Sequence, residues 1–159
     1  MGISKFFHEF KTKVAPHRMF KTLFTESHNI LPKVTPYIKS VEIIKGDGGA
    51  GSIYKMTYPE GDHLKHECHK INVIDPVNYV TNYTLVEGDV LGDKIESIVY
   101  EVKFEHSEDG GCVVKQISEY HTKGDFEIKE EDVKARKEQS QGLFMACEEY
   151  LSANPHVCA

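Results

Sequence analysis

The chain has no tryptophan, no C-x-x-C pair, and no apolar stretch approaching the roughly 18 residues that a spanning helix needs. A transmembrane helix is therefore not expected. The first residues, Met1 to Glu9, lack the apolar run of a secretory signal, because Glu9 and Lys11 sit where it would lie. Phe6 stands where a myristoylation pattern needs Ser or Thr. Four widely spaced cysteines, Cys68, Cys112, Cys147 and Cys158, then read as reduced thiols of a cytoplasmic protein, small enough to reach the nucleus. Basic residues are also scarce: 19 Lys and Arg against 25 Asp and Glu give a net charge of −6. That balance argues against a nucleic-acid partner, which a basic surface would serve.

What is present is ordinary for a soluble domain: 40% apolar and 28% charged residues over 159 positions. One domain spanning residues 1–159 is expected, with a core that needs no disulfide or metal. Period-2 alternation opens the chain at Phe6, His8, Phe10, Thr12 and Val14. Pro16 then starts a helical segment with Met19, Phe20, Leu23 and Phe24, and a second short helix fits 27–34 before Pro36. From Val41 to His121, Gly- and Asp-rich turns recur at intervals that suit about six further strands. A last helix is expected over about 129–152, ended by Asn154-Pro155. Strands in a run flanked by helices make an α+β fold: one antiparallel sheet packed on a helix.

The eight tyrosines carry the functional signal. Alternation puts Tyr54, Met56 and Tyr58 on one face of a strand, and Tyr79, Thr81, Tyr83 and Leu85 on one face of another. Ile98, Tyr100, Val102 and Phe104 share a face of a third. Several buried hydroxyls are awkward in a dry core but suit a cavity with apolar walls and a few polar groups. The inner stripe of the last helix, Val133, Arg136, Ser140, Leu143, Cys147, Tyr150 and Leu151, is interrupted by Arg136 and Ser140, next to Gln139. Either Arg136 reaches into a hydrated cavity or it snorkels to the surface.

The turn Gly46-Asp47-Gly48-Gly49-Ala50-Gly51 is followed in order by Tyr58-Pro59-Glu60-Gly61, Val86-Glu87-Gly88-Asp89 and Glu119-Tyr120-His121-Thr122-Lys123-Gly124-Asp125. With Val133-Lys134-Ala135 and Glu149-Tyr150-Leu151, these motifs resemble the intracellular pathogenesis-related class 10 proteins of plants, the family of the major birch pollen allergen. The resemblance covers the whole chain. It implies a seven-stranded antiparallel sheet wrapped around a long C-terminal helix, propped by two short helices over a large cavity. It also implies defence and stress roles, allergenicity, and binding of amphiphilic small molecules such as flavonoids, cytokinins, abscisic acid or brassinosteroid-like compounds. Pocket-facing family positions fall on Leu23, Ile38, Tyr54, Met56, Tyr58, Thr81, Tyr83, Leu85, Ile98, Tyr100, Val102, Gln139, Ser140 and Leu143, with His69 close by. Arg136 from the helix pattern completes the set and points to an acidic or phenolate-bearing ligand. Tyr54 stands where many relatives place a Lys, and Thr81 where the birch protein has Tyr, so the ligand preference is not transferable.

Other chemistries are disfavoured. The Gly-rich turn lacks the Gly-Lys-Ser/Thr of a phosphate loop and reads as a hairpin. His63, His66 and His69, with Glu67, Cys68 and His121, invite a metal reading. On a strand, however, His66 points away from His63 and His69, so no metal site or cofactor is expected. The norcoclaurine synthase branch of the resembled family uses a cavity Lys, and the matching positions here offer Glu67, His69 and Thr81, with no amine. A ribonuclease reading would enlist Glu96, Glu148 and Tyr150, against the acidic charge. The gate and latch of the abscisic-acid receptors are absent, Val86-Glu87-Gly88-Asp89 standing at one such place. The expectation is a non-enzymatic binder of an amphiphilic metabolite, with no catalytic residue and no membrane or nucleic-acid partner, monomeric or at most a weak dimer.

Overall fold

The computed structural model describes residues 2–61 and 64–159; His63 lies outside the described residues. Seven strands form a single antiparallel sheet: β1 (Gly2–Thr12), β2 (Ser40–Lys45), β3 (Ile53–Thr57), β4 (His66–Asp75), β5 (Val80–Gly88), β6 (Ile95–His106) and β7 (Cys112–Thr122). Their spatial order is β1-β7-β6-β5-β4-β3-β2, so the first strand crosses to pair with the last while the others follow as hairpins. The turn between β2 and β3 works through glycine. Gly46 has φ of 89°, and a Cβ there would lie 2.3 Å from the Ser52 hydroxyl oxygen. That hydroxyl accepts the Gly48 N–H at 2.9 Å, closing the turn as a hairpin.

Three helices cover the inner face: α1 (Pro16–Phe20), α2 (Ser27–Val34) and α3 (Glu130–Ala153). Pro16 begins α1 at a position where its missing N–H costs nothing. A π-helical turn, Lys21–Thr25, bends the chain into α2. The expected C-terminal helix is present within about a residue at each end. Its start is fixed by the Lys129 N–H donating to Asp132 Oδ2 at 2.8 Å, and Glu130, Glu131 and Asp132 complement the positive end of the helix. At its other end Arg18 of α1 donates to the carbonyls of Leu151, Asn154 and Val157 at 2.9–3.0 Å. A guanidinium on those carbonyls opposes the negative helix end, which locks α1 to α3.

The core is divided. One cluster, with Phe10, Met19, Phe20, Leu31, Phe104, Val114, Phe144, Cys147 and Leu151, joins α1, α2 and the C-terminal half of α3 to the sheet. The other, with Leu85, Leu91, Ile98, Tyr100, Tyr120, Ile128 and Val133, fills the space under the start of α3. The inner stripe of α3 is rotated from expectation: Phe144 is buried, while its neighbour Leu143 is only partly covered. The reason is that Phe144 packs against Phe10 of β1, with ring centres 5.6 Å apart. Among the described residues no helix is long and apolar enough to cross a membrane.

Candidate ligand cavity

Beside the first of these clusters the molecule is hollow. A cavity of about 520 Å³ lies between the sheet, α2 and α3, within the range of small-molecule sites. The π-helical turn and α2 supply Leu23, Phe24, Ser27 and Leu31, and the link to β2 supplies Thr35, Tyr37 and Ile38. Strands contribute Val41, Tyr54, Met56, Glu67, His69, Ile71, Ile74, Tyr83, Val102 and Gln116, with Tyr58 and Leu64 between β3 and β4. Arg136, Gln139, Ser140, Gly142, Leu143, Phe144 and Ala146 come from α3. Tyr37, Gln139 and Gly142 line the cavity yet are exposed, which marks its mouth between the α2–β2 link and α3.

Polar groups are concentrated on Glu67. Its Oε1 accepts hydrogen bonds from the Tyr58 hydroxyl at 2.8 Å and from Arg136 Nη1, while Oε2 meets His69 Nε2 at 2.9 Å. Arg136 Nη2 donates to the Tyr100 hydroxyl at 2.8 Å, and Nη1 reaches Gln139 at 3.4 Å. Stacking extends the group: the ring of Tyr83 lies 5.1 Å from those of both Tyr100 and His69. Burial alone would push the Glu67 carboxyl up, but the His69 hydrogen bond and the Arg136 guanidinium outweigh it and hold the group well below the usual carboxylate range. For Arg136, burial opposes the charge, and Tyr100 and Glu67 more than restore it. Burial raises Tyr58 well above the ordinary phenol range, and the Glu67 carboxylate adds to the effect. At neutral pH Glu67 is therefore an anion and Arg136 a cation, each hydrogen-bonded to the other.

Twelve of the sixteen expected residues line this cavity: Leu23, Ile38, Tyr54, Met56, Tyr58, His69, Tyr83, Val102, Arg136, Gln139, Ser140 and Leu143. Four do not. Leu85 and Ile98 are cross-strand partners in the solid cluster beneath Val133, fully buried. Tyr100 is packed in the same cluster and touches the site through Arg136 and the stacked ring of Tyr83. Thr81 is fully buried and spends its hydroxyl on the Val73 carbonyl at 3.2 Å. All four have inward-facing parity, and the packing at their positions closes the space. Arg136 does not snorkel; it turns inward and is paired. Glu67 already answers the guanidinium charge. Glu67, Ile71 and Gln116 were missing from the expected lining. Glu67 and Ile71 share strand parity with His69, and a buried Gln on β7 is a polar residue in an apolar row, so alternation carried a signal for each.

The profile of the Pathogenesis-related protein Bet v 1 family matches residues 1–154. The chain is 51% identical to the pathogenesis-related protein STH-21 of Solanum tuberosum over 159 residues, covering all of both chains. It is 50% identical to the major strawberry allergen Fra a 1.04 of Fragaria ananassa, covering 98% of each. Among solved structures, Ara h 8.0201 superposes with a TM-score of 0.85 at 33% identity, covering 96% of this chain and 99% of that one. Norcoclaurine synthase from Thalictrum flavum, in complex with dopamine and hydroxybenzaldehyde, superposes with a TM-score of 0.70 at 21% identity, covering 96% and 88%. That second likeness is one of fold.

Proposed function

The chain belongs to the Pathogenesis-related protein Bet v 1 family, and from that premise we propose that it binds and stores or carries an amphiphilic small molecule in its cavity. Hormones, flavonoids and other secondary metabolites are the class of guest, and defence or stress response the setting. The same reading has the protein working in the cytoplasm as a single chain. The observation that carries it is the combination of an apolar cavity of about 520 Å³ with one internally neutralised polar cluster at its wall. Met56, Ile38, Leu23 and Leu143 would supply affinity at about 25 cal/mol per Å² of guest surface removed from water, before ordering costs. Tyr54, Tyr58, His69, Tyr83, Gln139 and Ser140 would orient the guest.

Because Arg136 is paired, a neutral guest with a hydroxyl or carbonyl end fits better than an anion. Among the described lining residues there is no lysine, so an amine-based covalent mechanism has no nucleophile, which favours binding over conversion. The test is titration with an anilinonaphthalene sulfonate dye, followed by competition with neutral phenols and their matched carboxylic acids. Dye enhancement, displaced better by the neutral series, is expected, with every guest recovered unchanged. A folded protein giving no enhancement would overturn the proposal, and recovery of a converted guest would replace it with an enzymatic one.

A further inference from the structure

The outer face of β4, opposite the cavity, carries a second group of side chains that ligand binding does not use. His66 and Cys68 are two residues apart on β4 and so share that face. Glu87 of β5 lies directly across from Cys68, and the pairing then skips Val86, so that His69 meets Leu85. This bulge keeps Glu87 outward beside the thiol while Leu85 stays in the core. The three donors, a histidine nitrogen, a sulfur and a carboxylate oxygen, all lie within 4.8 Å of one another. Glu87 Oε2 is 3.3 Å from Cys68 Sγ and 3.7 Å from His66 Nε2.

The two separations from Glu87 are close to those of a known coordination geometry. Tetrahedral Zn²⁺, with Zn–S of about 2.3 Å and Zn–N or Zn–O of about 2.0 Å, places its donors roughly 3.3–3.5 Å apart. We propose that His66, Cys68 and Glu87 form a three-ligand site for Zn²⁺ on the outer face of the sheet, with water in the fourth position. The mixed sulfur, nitrogen and oxygen set suits this borderline-soft ion better than Mg²⁺ or Ca²⁺, which take oxygen ligands. Cys68 is buried, whereas Glu87 is largely exposed and His66 partly so, which leaves an entry path and room for the water. Binding replaces the Cys68 thiol proton, which passes to solvent, so thiolate and carboxylate balance the two charges of the ion. Lys55, across from Cys68 on β3, is a cation facing the group, and it limits the affinity without supplying a competing ligand. Asp89 is held by the Lys65 N–H at 2.6 Å, anchoring the segment that leads into His66.

The experiment uses chelator-stripped, reduced, full-length protein titrated with Co²⁺ and then Zn²⁺. Expected are one ion per chain, a near-ultraviolet thiolate-to-cobalt band, the intense visible bands of a four-coordinate ion, and loss of both when Zn²⁺ is added. Cys68→Ser should abolish the thiolate band. His66→Gln and Glu87→Gln should each weaken Zn²⁺ binding, read by competition with a chromogenic chelator, by more than about tenfold, at least what loss of an outer-shell partner costs. Cys158→Ser, which alters a thiol far from the group, should leave both readings unchanged. Glu87→Gln changes an exposed side chain and keeps the test valid if Cys68→Ser folds poorly. Absence of the thiolate band in the natural protein, or its survival in Cys68→Ser, would overturn the proposal. Dye binding in the cavity is read separately, so the two failures are distinguishable.

Discussion

Arg136 of the long helix and Glu67 of the fourth strand, 69 positions apart, form a buried ion pair in the cavity wall. Each has further partners, Tyr100 on one side and Tyr58 and His69 on the other, so the desolvated charges are hydrogen-bonded as well as paired. Such a pair is costly to break and cheap to replace. Losing one member leaves an uncompensated buried charge, whereas an apolar pair of similar volume avoids the desolvation altogether.

Glu67→Gln is therefore expected to destabilise the fold by about 3–5 kcal/mol in urea unfolding, as does removal of one partner from other buried pairs. The double change Glu67→Leu with Arg136→Met should recover most of that loss. Additive losses in the double variant would contradict the pairing account. The pH dependence follows from the direction of the Glu67 shift. Its folded value lies below the ordinary 4.5, so the stabilisation is complete above the unfolded value and is lost as pH falls through the lower folded one. The difference between the natural protein and Glu67→Gln should thus be flat at neutral pH and shrink progressively once pH falls below the ordinary 4.5.

The divided core gives a second contrast. Val102 lines the cavity, whereas Ile98, four residues earlier on β6 with the same parity, is sealed under the start of α3. Val102→Phe adds volume to empty space and should cost less than about 1.5 kcal/mol while reducing dye binding. Ile98→Phe adds volume where none is free and should cost about 1–3 kcal/mol or more while leaving dye affinity intact. Equal costs at the two positions would mean that the cavity wall is as closed as the core.

That pair of residues also marks how far alternation could read the site. Period-2 patterning identified the inward faces of β3, β5 and β6, and Tyr54, Met56, Tyr83 and Val102 do line the cavity. The same pattern placed Leu85, Ile98 and Tyr100 there, because parity fixes which face a side chain takes and says nothing about what lies opposite it. Where α3 meets the sheet depends on its capping at Asp132 and its anchoring by Arg18, both long-range consequences of the fold. Arg136 stood out as an ionised residue in an apolar stripe. Its partner stood out less, since Glu67 has the parity of His69 but sits among charged and histidine neighbours that read as a surface run. The bulge at Val86, which turns Glu87 toward Cys68, depends on strand register and leaves no local mark in the sequence.

His8 supplies the last prediction. Its ring stacks on Phe144 at 6.4 Å, with Nε2 buried and without a hydrogen-bond partner among the described residues, and Lys137 and Arg136 of α3 line the same small recess. Burial, reinforced by the charge of Lys137, lowers its value below the ordinary 6.5. Above the unfolded value the ring is neutral in both states and contributes nothing to pH dependence. As pH falls below it, the unfolded chain takes up a proton that the folded chain resists, so stability declines until the folded value is reached. His8→Phe keeps an aromatic ring against Phe144 and removes the titration. Melting temperatures of both proteins, followed from about pH 7.5 to about pH 5.5 across the ordinary histidine range, should therefore diverge, the natural protein losing more than the variant. Parallel curves would show that His8 takes up its proton equally well in the folded state, and the recess would have to hold water enough to solvate the charge.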